Sequence, residues 1–365
     1  MGMITSTRRA LVLGLVVLHR ESAATAAAAP DCHGFHTKLD CHLHPLDCRW
    51  SRPNRACVAK PHPAPPAPPA PPAPGGTGRT AVFWLEPYSN LTTEAAYTSA
   101  WSQFQHNKRP GYIMAGSAYA LKPNGTLGYA DTAAGEGLEG ELMERCGFPA
   151  LKKMGLKTIA MVYVTHNAAI AKMLADPAPF IAALLAKAKA VGIDGYDVDY
   201  EPQMAPSSSD GPAALAASAE LHGSFMAFLG QLGETMRSNG LMLTIDVGGC
   251  PAFDSFQCEA ARGMQGLAQA NCMHTFGSRS LQDFKQLASG DASGLGSRWA
   301  PGFEPGNMKA NDGHAFQQVT QYLNAQNVSH LATWEVHEMN LGVPQPQWLF
   351  DAVNSFLDGG GGGAS

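Results

Sequence analysis

The sequence predicts an α/β protein, a (β/α)8 TIM barrel preceded by a small Cys-rich module. Three observations carry that prediction. From residue 79 onward, short apolar runs of strand length alternate with runs of helical period, a pattern that implies a parallel sheet. Eight such pairs fit within residues 79–358, close to the roughly 250 residues typical of this barrel. A repeated Ala-Pro-Pro stretch separates the barrel region from a short segment that holds four of the chain's eight cysteines.

Residues 1–29 read as a signal peptide. Arg8 and Arg9 supply a basic start, residues 10–18 ("ALVLGLVVL") an apolar core, and residues 23–29 ("AATAAAA") small-residue cleavage sites. The apolar core is too short to span a bilayer. An organelle transit peptide is the competing reading, because "HRES" follows the apolar core directly. A secreted, extracellular protein is expected. The sequons at Asn90, Asn124 and Asn327 are compatible with a glycoprotein, and the even cysteine count with disulfide bonds.

Residues 31–59 form the Cys-rich module, with Cys32, Cys41, Cys48 and Cys57. A segment this small needs staples in place of a core. His33, His36, His42 and His44 raise a zinc site as the rival to two disulfides, but the wide Cys spacings do not match Cys-x-x-Cys pairs. Phe35 and Trp50 either stack on sugar rings, making this a carbohydrate-binding module, or form its miniature core. Residues 60–78 are a Pro-rich linker that favours extended polyproline II.

The barrel strands are expected at residues 80–87, 111–121, 157–166, 192–201, 241–249, 272–278, 298–305 and 329–336. Helical runs follow each, among them residues 93–105, an Ala-rich stretch ending at Val191, residues 314–326 and residues 345–359. A Gly-rich tail closes the chain at 359–365.

Composition narrows the function. The formal net charge is −5, only 15% of residues are charged, and no basic cluster follows the N-terminus. Nucleic acid is therefore excluded as a partner, since phosphate binding needs clustered Lys and Arg. No later apolar run is long enough for a membrane span. A neutral or weakly polar substrate fits that composition, and a monomer with no cofactor is expected.

The fourth strand departs from every rule for a buried strand. "GIDGYDVDYEP" (residues 192–202) places Asp194, Asp197, Asp199 and Glu201 within eight positions. Alternate residues of a barrel strand face the axis, and the strands' C-terminal ends form the active-site mouth. Asp197, Asp199 and Glu201 share one parity, so all three face inward, with Glu201 last, at the mouth. Stacked like charges in a core are unfavourable by several kcal/mol unless protonated or paired, and such sites are usually functional. Two chemistries use carboxylates in this way. A hard cation such as Mg²⁺ or Ca²⁺ wants oxygen ligands. Acid catalysis wants interacting carboxyls, one of which stays protonated. Successive same-face residues stand roughly 6–7 Å apart, which suits a proton relay better than one ion.

The run "DGYDVDYE" resembles the D-G-x-D-x-D-x-E signature of family 18 glycoside hydrolases, the chitinases and endo-β-N-acetylglucosaminidases, where it also lies on the fourth barrel strand. The resemblance implies Glu201 as general acid/base, Asp199 as the group that orients the substrate acetamido, and Asp197 as the inner carboxyl sharing a proton with Asp199. Asp194 becomes a supporting motif position, grouped with the substrate-binding residues. It further implies a retaining, substrate-assisted reaction on β-linked N-acetylglucosamine, in chitin-type oligosaccharides or N-glycan cores, without metal or protein nucleophile. Residues 118–129 are similar to the family's second strand and its hairpin-like continuation. "ATWEV" (residues 332–336) is similar to its last strand, with Trp334 flooring the subsite of the scissile sugar; an ordinary core Trp is the bland reading.

The sequence departs from the family on two strands. The third reads "AMVYVTHN" in place of Ser-x-Gly-Gly. The sixth keeps Met273 but has Thr275 and Phe276 where Tyr and Asp are expected. Tyr163 or another tyrosine is the candidate substitute for the absent one. These departures favour a second class, a non-hydrolytic chitinase-like lectin, whereas Glu201 favours the enzyme. A metal-dependent barrel enzyme is the third reading. Trp84 and Glu86 at the end of the first strand and Asp246 at the end of the fifth are further substrate-binding candidates. Glu335, His337 and Glu338 read more simply as a solvated loop. Cys250 and Cys258 are close enough in sequence to bridge a loop, with Cys272 as an alternative partner.

Overall fold

A computed structural model describes residues 48–51, 56–59, 78–86, 91–130, 138–201, 212–248, 261–304, 313–334 and 347–359, with residues 48–51, 56–59, 212–219 and 293 as backbone alone. The signal peptide, Cys32, Cys41, the histidines of the module, Asn90, Cys250, Cys258, Glu335, His337 and Glu338 lie outside the described residues. The chain divides into two compact units, Met1–Ala70 and Pro71–Ser365. In the first, β1 (Cys48–Ser51) and β2 (Ala56–Ala59) pair antiparallel, with Cys48 opposite Ala59 and Trp50 opposite Cys57.

The second unit is a closed barrel of eight parallel strands. In chain order come β3 (Thr80–Leu85), β4 (Tyr112–Leu121), β5 (Leu127–Tyr129), β6 (Lys157–Val164), β7 (Gly195–Tyr200), β8 (Met242–Val247), β9 (Gln269–Cys272), β10 (Trp299–Phe303) and β11 (His330–Thr333). All except β5 pair parallel in succession, and the β11–β3 and β3–β4 pairings close the ring. β5 folds back antiparallel on β4 as a hairpin, as residues 118–129 predict. Gly125 turns that hairpin at φ +85°, a left-handed backbone that favours glycine.

Helices cover the outside of the barrel. α1 (Glu94–Ala100) and α2 (Ser102–Asn107) divide at Trp101 the helix expected over 93–105. α3 (Leu138–Leu142) and α4 (Phe148–Lys153) flank a π-helical turn at Met143–Gly147. The Ala-rich stretch divides at Asp176-Pro177 into α5 (Asn167–Ala175) and α6 (Ala178–Lys187), because proline cannot continue a helix from within. Among the described residues no single helix is long and apolar enough to cross a membrane. α7 (Pro212–Ser238) follows β7; α8 (Leu281–Leu287), α9 (Asp291–Leu295), α10 (His314–Ala325) and α11 (Gln347–Leu357) complete the layer.

The sixth strand corrects the sequence reading. It ends where the expected segment begins: β9 is Gln269–Cys272, and Met273–Gly277 form a 3-10 turn. Gln269 and Asn271 are polar, so a search for apolar runs passes over them, yet both face the barrel axis and find partners there. The cysteine reading also changes. Cys146 and Cys272 are buried free thiols. Cys272 Sγ donates to Asp291 Oδ2 at 3.1 Å and Cys146 Sγ to the Thr92 carbonyl at 3.4 Å, so Cys272 is not the partner of a loop cysteine.

The helix-to-barrel layer is the main apolar core. α10 shows how it is built: Phe316, Val319, Thr320 and Leu323 recur at helical spacing on its buried face. Phe316 meets Phe303 of β10 edge-on at 5.0 Å and Trp348 of α11 at 5.9 Å. Phe316→Ala is expected to destabilise the fold by about 3–5 kcal/mol, read as a lower denaturant midpoint. An unchanged midpoint would refute that packing.

Candidate active site

The inside of the barrel is divided by chemistry. Val82, Ile113, Ala115, Ile159, Met161 and Ala332 fill one sector with apolar side chains. Asp197, Asp199, Thr244, Asp246, Gln269 and Asn271 fill the other, all buried. Parallel register explains how they gather. Asp197 pairs with Thr244, and Thr244 with Gln269. One level nearer the mouth, Tyr163 pairs with Asp199, Asp199 with Asp246, and Asp246 with Asn271. Partners across parallel strands point to the same face, so β7 to β9 present a lower polar rung to the axis and β6 to β9 an upper one.

The motif glycine makes this approach possible. A Cβ on Gly195 would lie 2.2 Å from the Met242 carbonyl oxygen of β8. Asp194 lies at the opposite end of β7 from Glu201. Its Oδ2 accepts from the Thr158 amide at 2.8 Å, and its own backbone bonds both Thr158 and Met242. Its grouping with the substrate-binding residues is therefore corrected: it ties β6, β7 and β8 together at the barrel floor, away from the mouth.

Asp197 is the most fully engaged carboxyl. The Trp84 indole Nε1 reaches from β3 to donate to its Oδ2 at 2.7 Å; Thr244 Oγ1 donates to Oδ1, and Asn271 Nδ2 reaches the same oxygen at 3.2 Å. Burial pushes its pKa up to about 6, opposed by hydrogen bonds from Thr244, Trp84, Asp246 and Asn271. The carboxyl that hydrogen-bonds Asp197 is thus Asp246, the place the resemblance gave to Asp199. Burial and the charges of Asp197 and Asp199 drive Asp246 well above the carboxylate range, so Asp246 holds a proton and donates it to Asp197.

Asp199 stands between this pair and the mouth. It is 5% exposed, and its Oδ1 is buried without a partner. Burial first, then the negative charges of Glu201, Asp197 and Glu86, raise its pKa strongly. Glu201 follows one residue beyond β7 and is exposed at the mouth. Glu86, whose charge also reaches Asp199, accepts through Oε1 from both Ser117 Oγ and Tyr163 OH at 2.8 Å. Burial and Glu86 keep the Tyr163 phenol protonated well beyond its ordinary range. A bulge between Ser117 and Tyr119 in β4 shifts the register there, and Tyr119 joins the outer core.

The apolar side of the mouth is aromatic. Trp334, half-buried just past β11, meets Trp84 edge-on at 5.7 Å and stacks with Phe276 at 6.4 Å and 14°. Phe276 lies over β10, where a Cβ on Gly302 would come within 2.4 Å of its ring. Thr275 is buried and donates to the Gly302 carbonyl at 2.7 Å. The 3-10 turn thus gives the mouth an aromatic ring where the resemblance anticipates Tyr and Asp. Among the described residues no three His, Cys, Asp or Glu side chains converge as metal ligands.

Sequence reasoning singled out Glu201, Asp199, Asp197, Asp246, Tyr163, Trp84, Glu86 and Trp334, and the structure places these eight inside the barrel or at its mouth. It missed Thr244, Asn271, Gln269 and Ser117. Their signal was polarity at the inward parity of a strand, visible only once the strand limits and faces are known.

Three carboxyls with raised pKa keep protons in the folded state that the unfolded chain releases. Stability present at acid pH is therefore lost as pH rises from about 4 through the folded pKa values, at about 1.4 kcal/mol per pH unit for each group. Asp199→Asn removes one of these groups. The variant should melt higher than the parent at pH 7 and depend less steeply on pH between 5 and 7, measured by thermal denaturation.

No protein-family model matches the chain, and no curated protein sequence matches it. Solved structures do. A chitinase from Bacteroides thetaiotaomicron superposes with TM-score 0.54 at 12% identity, covering 78% of this chain and 98% of that one. A class V chitinase from Nicotiana tobaccum gives 0.54 at 11%, covering 77% and 99%. The Bacillus cereus spore cortex-lytic enzyme SleL gives 0.52 at 12%, covering 75% and 74%. The fold is that of chitinase-like barrels.

Proposed function

We propose that the chain is a glycoside hydrolase of the family 18 type, cleaving β-linked N-acetylglucosamine in chitin-type oligosaccharides or N-glycan cores with retention. One observation carries the reading. Glu201 stands exposed at the mouth directly after the strand that holds Asp197 and Asp199 buried on one face, in a barrel whose structural neighbours include chitinases.

The chemistry follows from these positions. Glu201 gives its proton to the glycosidic oxygen as the C1–O bond breaks. The acetamido oxygen of the same sugar attacks C1, and the oxazolinium ion forms. Asp199, whose buried Oδ1 has no partner, accepts from the acetamido N–H and orients the group for attack. Water, deprotonated by Glu201, then opens the ring from the face the aglycone left, so configuration is retained. Trp334, Trp84 and Phe276 offer the apolar ring faces against which a sugar packs. The reading includes secretion, with residues 1–29 as the signal peptide.

A sugar-binding protein without hydrolysis is the second reading, favoured by Thr275 and Phe276 in place of Tyr and Asp. Incubation with chitin oligosaccharides and an N-glycopeptide separates the two. The parent should cleave one of them, and Glu201→Gln should lose roughly 10²–10⁴-fold in kcat while still binding. Binding without cleavage by either protein would establish the second reading. EDTA should leave the rate unchanged, because no step requires a metal; loss of activity on chelation would overturn the mechanism.

A further inference from the structure

Below the acid pair runs a line of hydrogen bonds whose direction is fixed at every link. Thr80 Oγ1 donates to Gln269 Oε1 at 2.7 Å. Its single proton is thereby used, so the contact with His330 Nδ1 at 2.6 Å must carry its proton on the imidazole. Gln269 Nε2 donates to Asn271 Oδ1 at 2.7 Å. Asn271 Nδ2 spends both its protons on carboxyls, one on Asp246 Oδ1 at 2.8 Å and the other on Asp197 Oδ1 at 3.2 Å. Flipping the Gln269 amide would set its oxygen against Asn271 Oδ1. Flipping Asn271 would aim its oxygen at two carboxyls. Neither amide is free to turn.

Every donor therefore points the same way, from the barrel floor at His330 and Thr80 up to the acid pair. Aligned hydrogen bonds polarise one another, and the chain ends in two N–H groups directed at Asp197 and Asp246. Donors favour the charged form of a carboxyl. With Trp84 and Thr244 also donating to Asp197, the arrangement holds Asp197 as the acceptor and leaves the shared proton on Asp246.

We propose that Gln269, Thr80 and His330 are positioning residues which, through Asn271, set where the protons reside in the acid cluster beneath Glu201. The inference rests on the reading of Asp197, Asp199 and Glu201 as the acid machinery. Thr80 and His330 begin β3 and β11, at the barrel floor, and act only through the chain. Other groups act on the cluster at the same time. Asp199 faces Asp246, and Glu201 and Glu86 face Asp199, with Tyr163 against Glu86. These remain in place in each variant below. Burial pulls the His330 pKa down to about 4, so its imidazole is neutral and the direction of the chain holds from pH 5 upward.

The Trp84 indole N–H reports on Asp197 without any need for catalysis. Its ¹H–¹⁵N signal in the full chain, assigned by its disappearance in Trp84→Phe, should titrate with an inflection near pH 6. Asn271→Ala should move the inflection up by roughly one to two pH units, the scale of a lost hydrogen bond to a charged group. Gln269→Leu and Thr80→Val should move it in the same direction by a smaller amount, and Thr80→Ser, which keeps the hydroxyl, should leave it in place. In the active protein the acid limb of kcat should follow the same order, with KM unchanged. An inflection unmoved in folded Gln269→Leu and Thr80→Val, or no Trp84 titration in the parent, would overturn the proposal. Absence of hydrolysis with these shifts intact would count against the glycosidase reading alone.

Discussion

The charged Asp197 carboxyl, buried at the centre of the barrel, is the constraint around which the inner structure is arranged. An ionised carboxyl out of water is tolerated only where donors replace the solvent it has lost. Three strands supply those donors: β3 through Trp84, β8 through Thr244 and Asp246, and β9 through Asn271, all onto a residue of β7. Removing any one donor leaves the same charge with less to hold it. That is why a barrel interior normally filled by Val, Ile and Leu has surrendered a whole sector to polar side chains here.

The surrender is confined to one side. Between the floor residues Thr80 and His330 and the mouth, the strands β3, β4 and β11 and the lower part of β6 keep an ordinary apolar interior, which sets Trp84 and anchors the aromatic edge of the mouth. The polar sector then stands against a wall of low polarity, where repulsion between carboxyls is little screened. Asp199 and Asp246 respond by keeping their protons, because burial and mutual repulsion both oppose their charge. Glu201, one residue farther along β7, is exposed to solvent. A single strand thus carries its acids from the charged and fully bonded, through the protonated, to the solvated. This graded environment allows neighbouring carboxyls to take different roles.

Much of this was legible before any coordinates. The alternation of strand and helix gave the barrel, and the parity of Asp197, Asp199 and Glu201 gave their common face. The sixth strand was misplaced by three residues because its inward side chains, Gln269 and Asn271, are polar. Asp194 was grouped with the substrate-binding residues because it shares a motif with Glu201, although it stands at the other end of the strand. Both errors have one origin. A polar residue inside a barrel is recognised by its partner, and its partner lies on another strand.

By itself the sequence determined the order of the elements, the common inward face of Asp197, Asp199 and Glu201 and the concentration of acids on β7, since these depend on local period and on neighbours along the chain. It could not determine that Asp246, rather than Asp199, bonds Asp197, or that Asn271 bonds both. Those pairings follow from the register between β7, β8 and β9, which is set when the ring closes and side chains 25 to 74 positions apart come within hydrogen-bond reach. Only the closed barrel fixes which carboxyl is charged, because only there is each one's full set of donors and charges assembled.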